Sequence, residues 1–171
     1  MVFRTTVAER CLVYLLDRMG VREEDSGAGK LTQDSFAEAL GVKQAHVSRA
    51  LNKLCDKGYA KKDKIHARGE VKRVFAYFLT EKGVEKAREL RQRLEETRVT
   101  IVDLEGVEKE VPLGEVSVLL PQRPRFSDLV ARVKGDRLDL RSYHAMARSV
   151  PGREGLRRAR DHYGLALQRQ E

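Results

Sequence analysis

The sequence has no tryptophan, only two cysteines and only four prolines among its 171 residues. No stretch approaches the roughly 18 apolar residues that a membrane-spanning helix needs, so no membrane partner is expected. The first residues, MVFRTTVAERC, lack the apolar core of a secretory signal. Cys11 and Cys55 lie in apolar helical patterns, and we expect both to be reduced and buried. These absences predict a soluble, cytoplasmic protein that holds no metal and no other cofactor.

Charge is abundant and unevenly distributed along the chain. The charged fraction is 35% and the formal net charge is +8. Residues 43–73 carry 10 basic and 3 acidic side chains, whereas residues 98–120 carry 2 basic and 5 acidic ones. Basic charge concentrated on one structural unit indicates a polyanionic partner. The alternative, a surface rich in ion pairs, accounts for the total charge but not for its distribution.

Helical periodicity and capping residues predict three helices in the first third of the chain. Residues 7–19 form an apolar stripe that follows the capping box of Thr6 and Glu9. The polar, glycine-rich residues 20–30 predict a loop. A second helix is expected over residues 32–40, with Thr32 as N-cap and Gly41 as terminator. A third helix is expected over residues 43–57.

A hairpin and a fourth helix are predicted next. Residues 59–65 and 72–79 have the composition of strands, and residues 66–71 form the tip between them. In the second strand, odd- and even-numbered side chains are expected on opposite faces. Thr80 is the expected N-cap of a helix whose inner stripe is Val84, Ala87, Leu90 and Leu94.

The pattern changes after residue 97. Short β-like runs flank Glu105 and Gly106 and predict a second hairpin, while residues 114–120 predict either a further strand or a short helix. Residues 121–126 are typical of a linker, and weak helical patterns follow at residues 127–133, 143–150 and 155–170. The predicted class is α+β, mostly α. Its expected domains are residues 1–97, a hairpin segment at residues 98–120 and a basic, helical or partly flexible region at residues 121–171.

The third helix and the first hairpin carry the candidate binding residues. An α-helix fits the major groove of duplex DNA, where Gln can read adenine, Arg can read guanine and Ala can contact a thymine methyl group. Basic side chains on a hairpin suit phosphates, and arginine suits a narrow minor groove. The candidates on the helix are Lys43, Gln44, Ala45, His46, Ser48, Arg49, Asn52 and Lys53. Those on the hairpin are Lys61, Lys62, Lys64, His66, Arg68, Lys72 and Arg73.

The motifs GV-x-x-A-x-VSRAL-x-x-L-x-x-x-G and Y-x-LTEKG resemble those of winged helix-turn-helix regulators in the prokaryotic MarR-like superfamily. The likeness covers about residues 7–97. It implies binding of double-stranded DNA by the third helix and the wing, usually as a homodimer, in transcription regulation. Lys43 and His46 stand where the family usually has small hydroxyl residues. The sequence identifies neither a small-molecule effector nor the dimer surface.

Other functions remain as alternatives. The four histidines fall in no catalytic signature, so an enzyme is not expected. Winged helices also serve as protein-interaction modules. A winged helix followed by a segment such as VTIVDLEGVEKEVPLGEV, residues 99–116, resembles the N-terminal part of larger archaeal proteins that carry an ATPase or helical-repeat region. Near the end of the given sequence, one half of a tetratricopeptide repeat is resembled by Ala159, Tyr163, Ala166 and Leu167. RNA association is a further alternative, because 11 arginines and one lysine follow residue 120.

Overall fold

The computed structural model describes residues 3–20, 26–66, 73–120 and 123–143. The chain divides into two compact units, one of residues 4–93 and one of residue 94 onward together with the first three residues. Each unit combines helices with a small sheet, which confirms the predicted α+β class. Most of the predicted tip, nearly all of residues 143–150 and the whole of residues 155–170, with the half-repeat, lie outside the described ranges.

The first unit contains helices followed by a two-stranded antiparallel sheet. Its elements in order are α1 (Val7–Asp17), a 3₁₀ helix (Ser26–Leu31), α2 (Gln33–Leu40), α3 (Gln44–Asp56), β1 (Ala60–His66), β2 (Arg73–Leu79) and most of α4 (Glu81–Glu96). The 3₁₀ helix occupies the end of the predicted loop. The other predicted elements are present, with ends displaced by one or two residues.

Local capping interactions set the ends of these helices. Thr6 Oγ1 accepts a hydrogen bond from the Glu9 amide, and the Glu9 carboxylate accepts one from the Thr6 amide, so the predicted capping box is confirmed. Thr32 caps α2, and Gly41 ends it with φ 64°, a left-handed conformation that glycine adopts at little cost. Thr80 Oγ1 accepts from the Gly83 amide at the start of α4.

The core of the first unit lies behind α3. Val47, Leu51 and Leu54 of α3 are buried, as predicted. Aromatic rings extend this core, because the Phe36 ring lies 4.5 Å from the Tyr14 ring and 6.4 Å from the Tyr77 ring between centroids. Such tilted and edge-to-face pairs stabilise a core beyond the area that they bury. Helices α2 and α3 therefore pack on a core that contains three aromatic rings.

Strands β1 and β2 pair in antiparallel register from Ala60 opposite Leu79 to His66 opposite Arg73. Burial along β2 does not follow the simple alternation of an exposed and a buried face, because Ala76 and Tyr77 are consecutive and both are buried. Ala76 forms an isolated bridge with Thr32, and the Tyr77 hydroxyl accepts a hydrogen bond from Gln33. The base of the hairpin is thus enclosed by the start of α2, while its outer part is exposed.

Helix α4 packs with its predicted stripe inward and is tied to α1 by ion pairs. Ala87, Leu90 and Leu94 are buried, and Val84 is half-buried. Arg91 lies 3.1 Å from the largely buried carboxylate of Asp17, and Arg93 lies 2.6 Å from that of Glu9. At its start, a Cβ on Gly83 would meet the Tyr59 carbonyl oxygen at 1.7 Å, so only glycine fits there.

The second unit contains a three-stranded sheet in the order β4-β3-β5. Its elements after α4 are β3 (Arg98–Val102), β4 (Glu108–Pro112), a 3₁₀ helix (Leu113–Leu119), α5 (Phe126–Arg132) and β5 (Arg137–Asp139). The hairpin predicted around Glu105 and Gly106 is confirmed, and of the two alternatives for residues 114–120 the short helix is found. Strand β5, which pairs in parallel with β3, was not predicted.

The prediction that residues 121–126 form a linker is wrong for the last residues of that segment. Pro124 and Phe126 are buried, and Phe126 begins α5. The core of this unit contains buried Ile101 of β3 and Leu138 of β5. The polar, proline-containing composition of residues 121–126 predicts a linker. Phe126 is nevertheless apolar, and it is buried at the start of α5.

Candidate nucleic-acid interface

Helix α3 presents a continuous polar face to solvent. All but one of the candidate residues on this helix are exposed: Lys43, Gln44, Ala45, His46, Arg49, Asn52 and Lys53. The first turn of α3 has no acidic residue. The buried positions Val47, Leu51 and Leu54 alternate with this face at helical spacing, so packing of the inner side fixes which side chains point outward.

Ser48 differs from the other candidates because it is half-buried and hydrogen-bonded within the protein. Gln33 Nε2 lies 3.4 Å from Ser48 Oγ and 3.0 Å from the Tyr77 hydroxyl. One amide group therefore joins the first residue of α2 to both α3 and β2. This position of Ser48 favours a role in orienting α3 over direct contact with a ligand.

Two details at the start of α3 affect its electrostatics. Lys43 occupies the N-cap position but makes no capping hydrogen bond with its side chain. A cation near the positive end of a helix dipole costs about 0.3–1 kcal/mol, and a nearby anion offsets that cost. Arg49 Nε donates to the Ala45 carbonyl at 3.4 Å, which turns the exposed guanidinium back toward the first turn. Both cations therefore lie near the same end of the helix.

The β1–β2 hairpin separates its charged residues onto two faces. Lys61 shares a face with Asp63, and their charged groups lie 3.8 Å apart. Lys62 and Lys64 lie on the opposite face, where their ammonium groups approach the Phe75 ring. Arg68 and Lys72 fall outside the described residues.

Further along the face of Lys64, Arg73 Nε donates a hydrogen bond to His66 Nε2 at 3.1 Å, and both residues are exposed. Arg73 and His66 are also direct partners in the strand register. The hairpin candidates that the structure describes thus form an exposed row on one face, except for Lys61.

Sequence reasoning missed Gln33 and Phe75. Helical periodicity places Gln33 only within a helix, although its amide joins α2 to α3 and β2. Strand alternation makes Phe75 one of several equivalent residues, yet it is 42% exposed. The only signal in the sequence for its setting is the density of lysines in the paired strand.

The cysteine thiols are poor nucleophiles. Burial raises the pKa of the Cys11 thiol to about 12. Burial also raises the pKa of Cys55, which is half-buried in α3 rather than fully buried as expected; nearby Lys62 partly opposes that shift and Asp56 adds to it. A raised pKa leaves little of the reactive thiolate near neutral pH.

Within the described ranges, no group of three or more His, Cys, Asp or Glu side chains is arranged to hold a metal ion. No helix in the same part of the chain combines the length and apolar character that crossing a membrane requires. Comparisons of the chain with protein-family models, with curated proteins and with solved structures gave no match.

Proposed function

We propose that the chain is a sequence-specific, double-stranded DNA-binding transcriptional regulator with a winged helix-turn-helix domain. The observation that carries this proposal is the exposed polar face of α3, which has no acidic side chain in its first turn. A major groove about 12 Å wide admits one α-helix. The 13 residues of α3 supply a helix of suitable length, and its inner side is held by buried apolar contacts.

In this proposal the exposed residues of α3 divide between bases and phosphates. Gln44 and Arg49 can each make two hydrogen bonds to a base edge, with adenine and guanine as their usual partners. Ala45 offers a methyl group to thymine. Lys43 and Lys53 are suited to phosphates, which supply most of the affinity but little of the specificity.

The β1–β2 hairpin acts as the wing against the sugar–phosphate backbone and the adjacent minor groove. Its exposed row of Lys62, Lys64, His66 and Arg73 supports this role. As a homodimer, the protein would read two half-sites about one helical turn apart. A regulator of this kind acts in the cytoplasm of a prokaryotic cell, where the chromosome is accessible.

Selection of bound duplexes from a random-sequence pool tests this proposal. We expect a defined, palindromic site and an affinity that falls steeply as salt concentration rises. Arg49→Ala should lower discrimination at one base position by about 1–3 kcal/mol. Arg88→Ala, which removes an exposed arginine from α4, is the matched control. An affinity for duplex DNA that does not change with ionic strength would contradict the proposal.

A protein-interaction module is the second candidate function. Exposed apolar side chains in the second unit favour it, since Val118 is 73% exposed and Leu119 is 49% exposed. Apolar contacts weaken little as salt rises, whereas phosphate contacts weaken strongly. Salt dependence of the complex therefore separates the two functions.

A further inference from the structure

Phe75 is an exposed aromatic ring on the basic face of the hairpin. It is 42% exposed, although the next two residues of β2, Ala76 and Tyr77, are 0% and 2% exposed. Among the described residues, it is the only aromatic side chain in the group of strongly exposed large apolar residues. At this exposure the phenylalanine leaves apolar ring area in contact with water, and that area is available to a partner that can cover it.

Two lysines of the paired strand lie beside this ring. Lys62 Nζ is 4.8 Å from the ring centroid, and Lys64 Nζ is 5.6 Å from it. These distances are within the range of cation–π attraction, which is weak for solvated groups. Phe75 is 42% exposed although both lysines lie beside it, so part of the ring remains open. Flexible, exposed lysines can move from the ring to a phosphate without disturbing the core.

The hairpin face that carries Phe75 has further basic side chains toward the tip. Its described part contains no carboxylate. His66 and Arg73 are the next opposed pair, joined by the 3.1 Å hydrogen bond. Asp63, the one acidic residue of the two strands, lies on the other face beside Lys61. The exposed face therefore offers one open aromatic ring flanked by cations on both sides along the strands.

This combination suits one kind of occupant, a nucleotide whose base is unpaired. Aromatic rings stack on base faces, and neighbouring cations bind the adjoining phosphates. A duplex exposes phosphates, sugars and base edges along its length, but its base faces are covered by stacking. The phosphate contacts of a wing would use the lysines and leave the ring without a partner.

We propose that Phe75 is a stacking platform for an unpaired base in a single-stranded DNA segment that adjoins the bound duplex. Lys62 and Lys64 hold the phosphates on either side of that base. The inference rests on the proposed function, because α3 is taken to bind the duplex that brings the single strand to the hairpin. It predicts preference for a duplex with a single-stranded extension over a blunt one.

The test uses the full-length chain and fluorescently labelled DNA that shares one selected duplex. The probes are the blunt duplex, the duplex with a 5′ or a 3′ single-stranded extension, and the same extensions built from abasic nucleotides. We expect at least one extension with bases to tighten binding by about 5- to 150-fold, the range measured for stacking of one base. The abasic version should bind like the blunt duplex.

Variants then assign any gain to the ring. Phe75→Ala and Phe75→Leu should both abolish the gain and leave blunt-duplex affinity within about twofold, while Phe75→Tyr and Phe75→Trp should retain it. Phe75→Leu removes the aromatic ring but keeps an apolar side chain of similar length, so it separates the loss of stacking from any effect of alanine on the hairpin. Met19→Ala, which removes another exposed apolar side chain of the first unit, is the matched control.

Three results would overturn the inference. The first is an extension that gives no gain, and the second is a gain that survives Phe75→Leu. The third is a Phe75→Leu chain that no longer self-associates but still prefers the extended duplex as the unaltered chain does. That result would assign the ring to a contact between two copies of the protein. A chain that binds no blunt duplex at any salt concentration would overturn the proposed function as well, so the two failures are distinguishable.

Discussion

The side-chain amide of Gln33 donates a hydrogen bond to the buried hydroxyl of Tyr77 across 3.0 Å, and this bond joins the start of α2 to β2. The same amide nitrogen lies 3.4 Å from Ser48 Oγ of α3. Three elements of the candidate interface thus share one polar junction. A junction of this kind fixes the angle between a helix and a hairpin more narrowly than apolar packing alone, because hydrogen bonds are directional.

Removing the hydroxyl with Tyr77→Phe should lower the free energy of unfolding by about 1 kcal/mol, the usual net value of one such hydrogen bond. Urea denaturation measures this loss. The more exposed Tyr59 supplies the control, since Tyr59→Phe should change stability by less than about 0.5 kcal/mol. If both substitutions changed the free energy of unfolding equally, the hydrogen bond of Tyr77 would contribute nothing to stability.

Gly83→Ala should destabilise the protein even though alanine is the better helix former. A Cβ at this position would lie 1.7 Å from the carbonyl oxygen of Tyr59 and 2.7 Å from its carbonyl carbon. Relief requires movement of backbone, so we expect a loss of about 3 kcal/mol in thermal or urea unfolding. Gly29→Ala is the matched control, because nothing lies within 4 Å of a Cβ there. An equal effect at both glycines would contradict the close contact.

Stability should fall at alkaline pH through Cys11. Its pKa in the folded protein is raised from 9.0 to about 12 by burial, so the folded state holds the thiol proton more tightly than the unfolded state does. Its contribution is therefore complete below pH 9 and is lost between pH 9 and 12, at up to about 1.4 kcal/mol per pH unit.

Comparing the chain with Cys11→Ala isolates this effect from the other groups that titrate in the same window. The substitution should cost stability at neutral pH through the small cavity that it leaves, but its pH dependence above pH 9 should be shallower. Cys55→Ala, at the half-exposed cysteine, should leave most of the slope in place. Parallel stability curves for the chain and Cys11→Ala would contradict the buried-thiol explanation.

The two neighbouring lysines of β1 should differ in DNA binding. Lys62 is on the exposed basic face, whereas Lys61 lies 3.8 Å from the carboxylate of Asp63 on the other face. Given the proposed function, Lys62→Ala should weaken binding to all sequences alike and reduce the salt slope by about 1. Lys61→Ala should have a smaller effect on both quantities. The opposite order would show that the other face of the hairpin contacts phosphate.

Features decided within a few residues could be predicted from the sequence. The Thr6 capping box, the Thr32 cap and the left-handed Gly41 depend on bonds spanning three or four positions. The exposed face of α3 followed from helical periodicity in the same way. Strand β5 could not be predicted, because its three residues become a strand only by pairing with β3, more than thirty residues earlier.

The sequence predicted those residues of the candidate site whose exposure follows from the helical pattern. It missed those whose surroundings depend on residues distant along the chain. Ser48 belongs to the outer face by periodicity, yet Gln33, fifteen positions earlier, draws it into the junction with Tyr77. The sequence pattern places Phe75 only among the alternating residues of a strand. Its exposure arises because Ala76 and Tyr77 meet the start of α2, while the strand at Phe75 lies beyond that enclosure.

The hydrogen bond between Arg73 and His66 sets which nitrogen of the imidazole faces outward. Nε2 of His66 accepts from Arg73 Nε, so Nδ1 is the ring nitrogen that can donate to a partner. That donor lies on an exposed side chain beside the arginine charge. The hairpin can therefore present a hydrogen-bond donor to an anion in addition to its lysines and arginines.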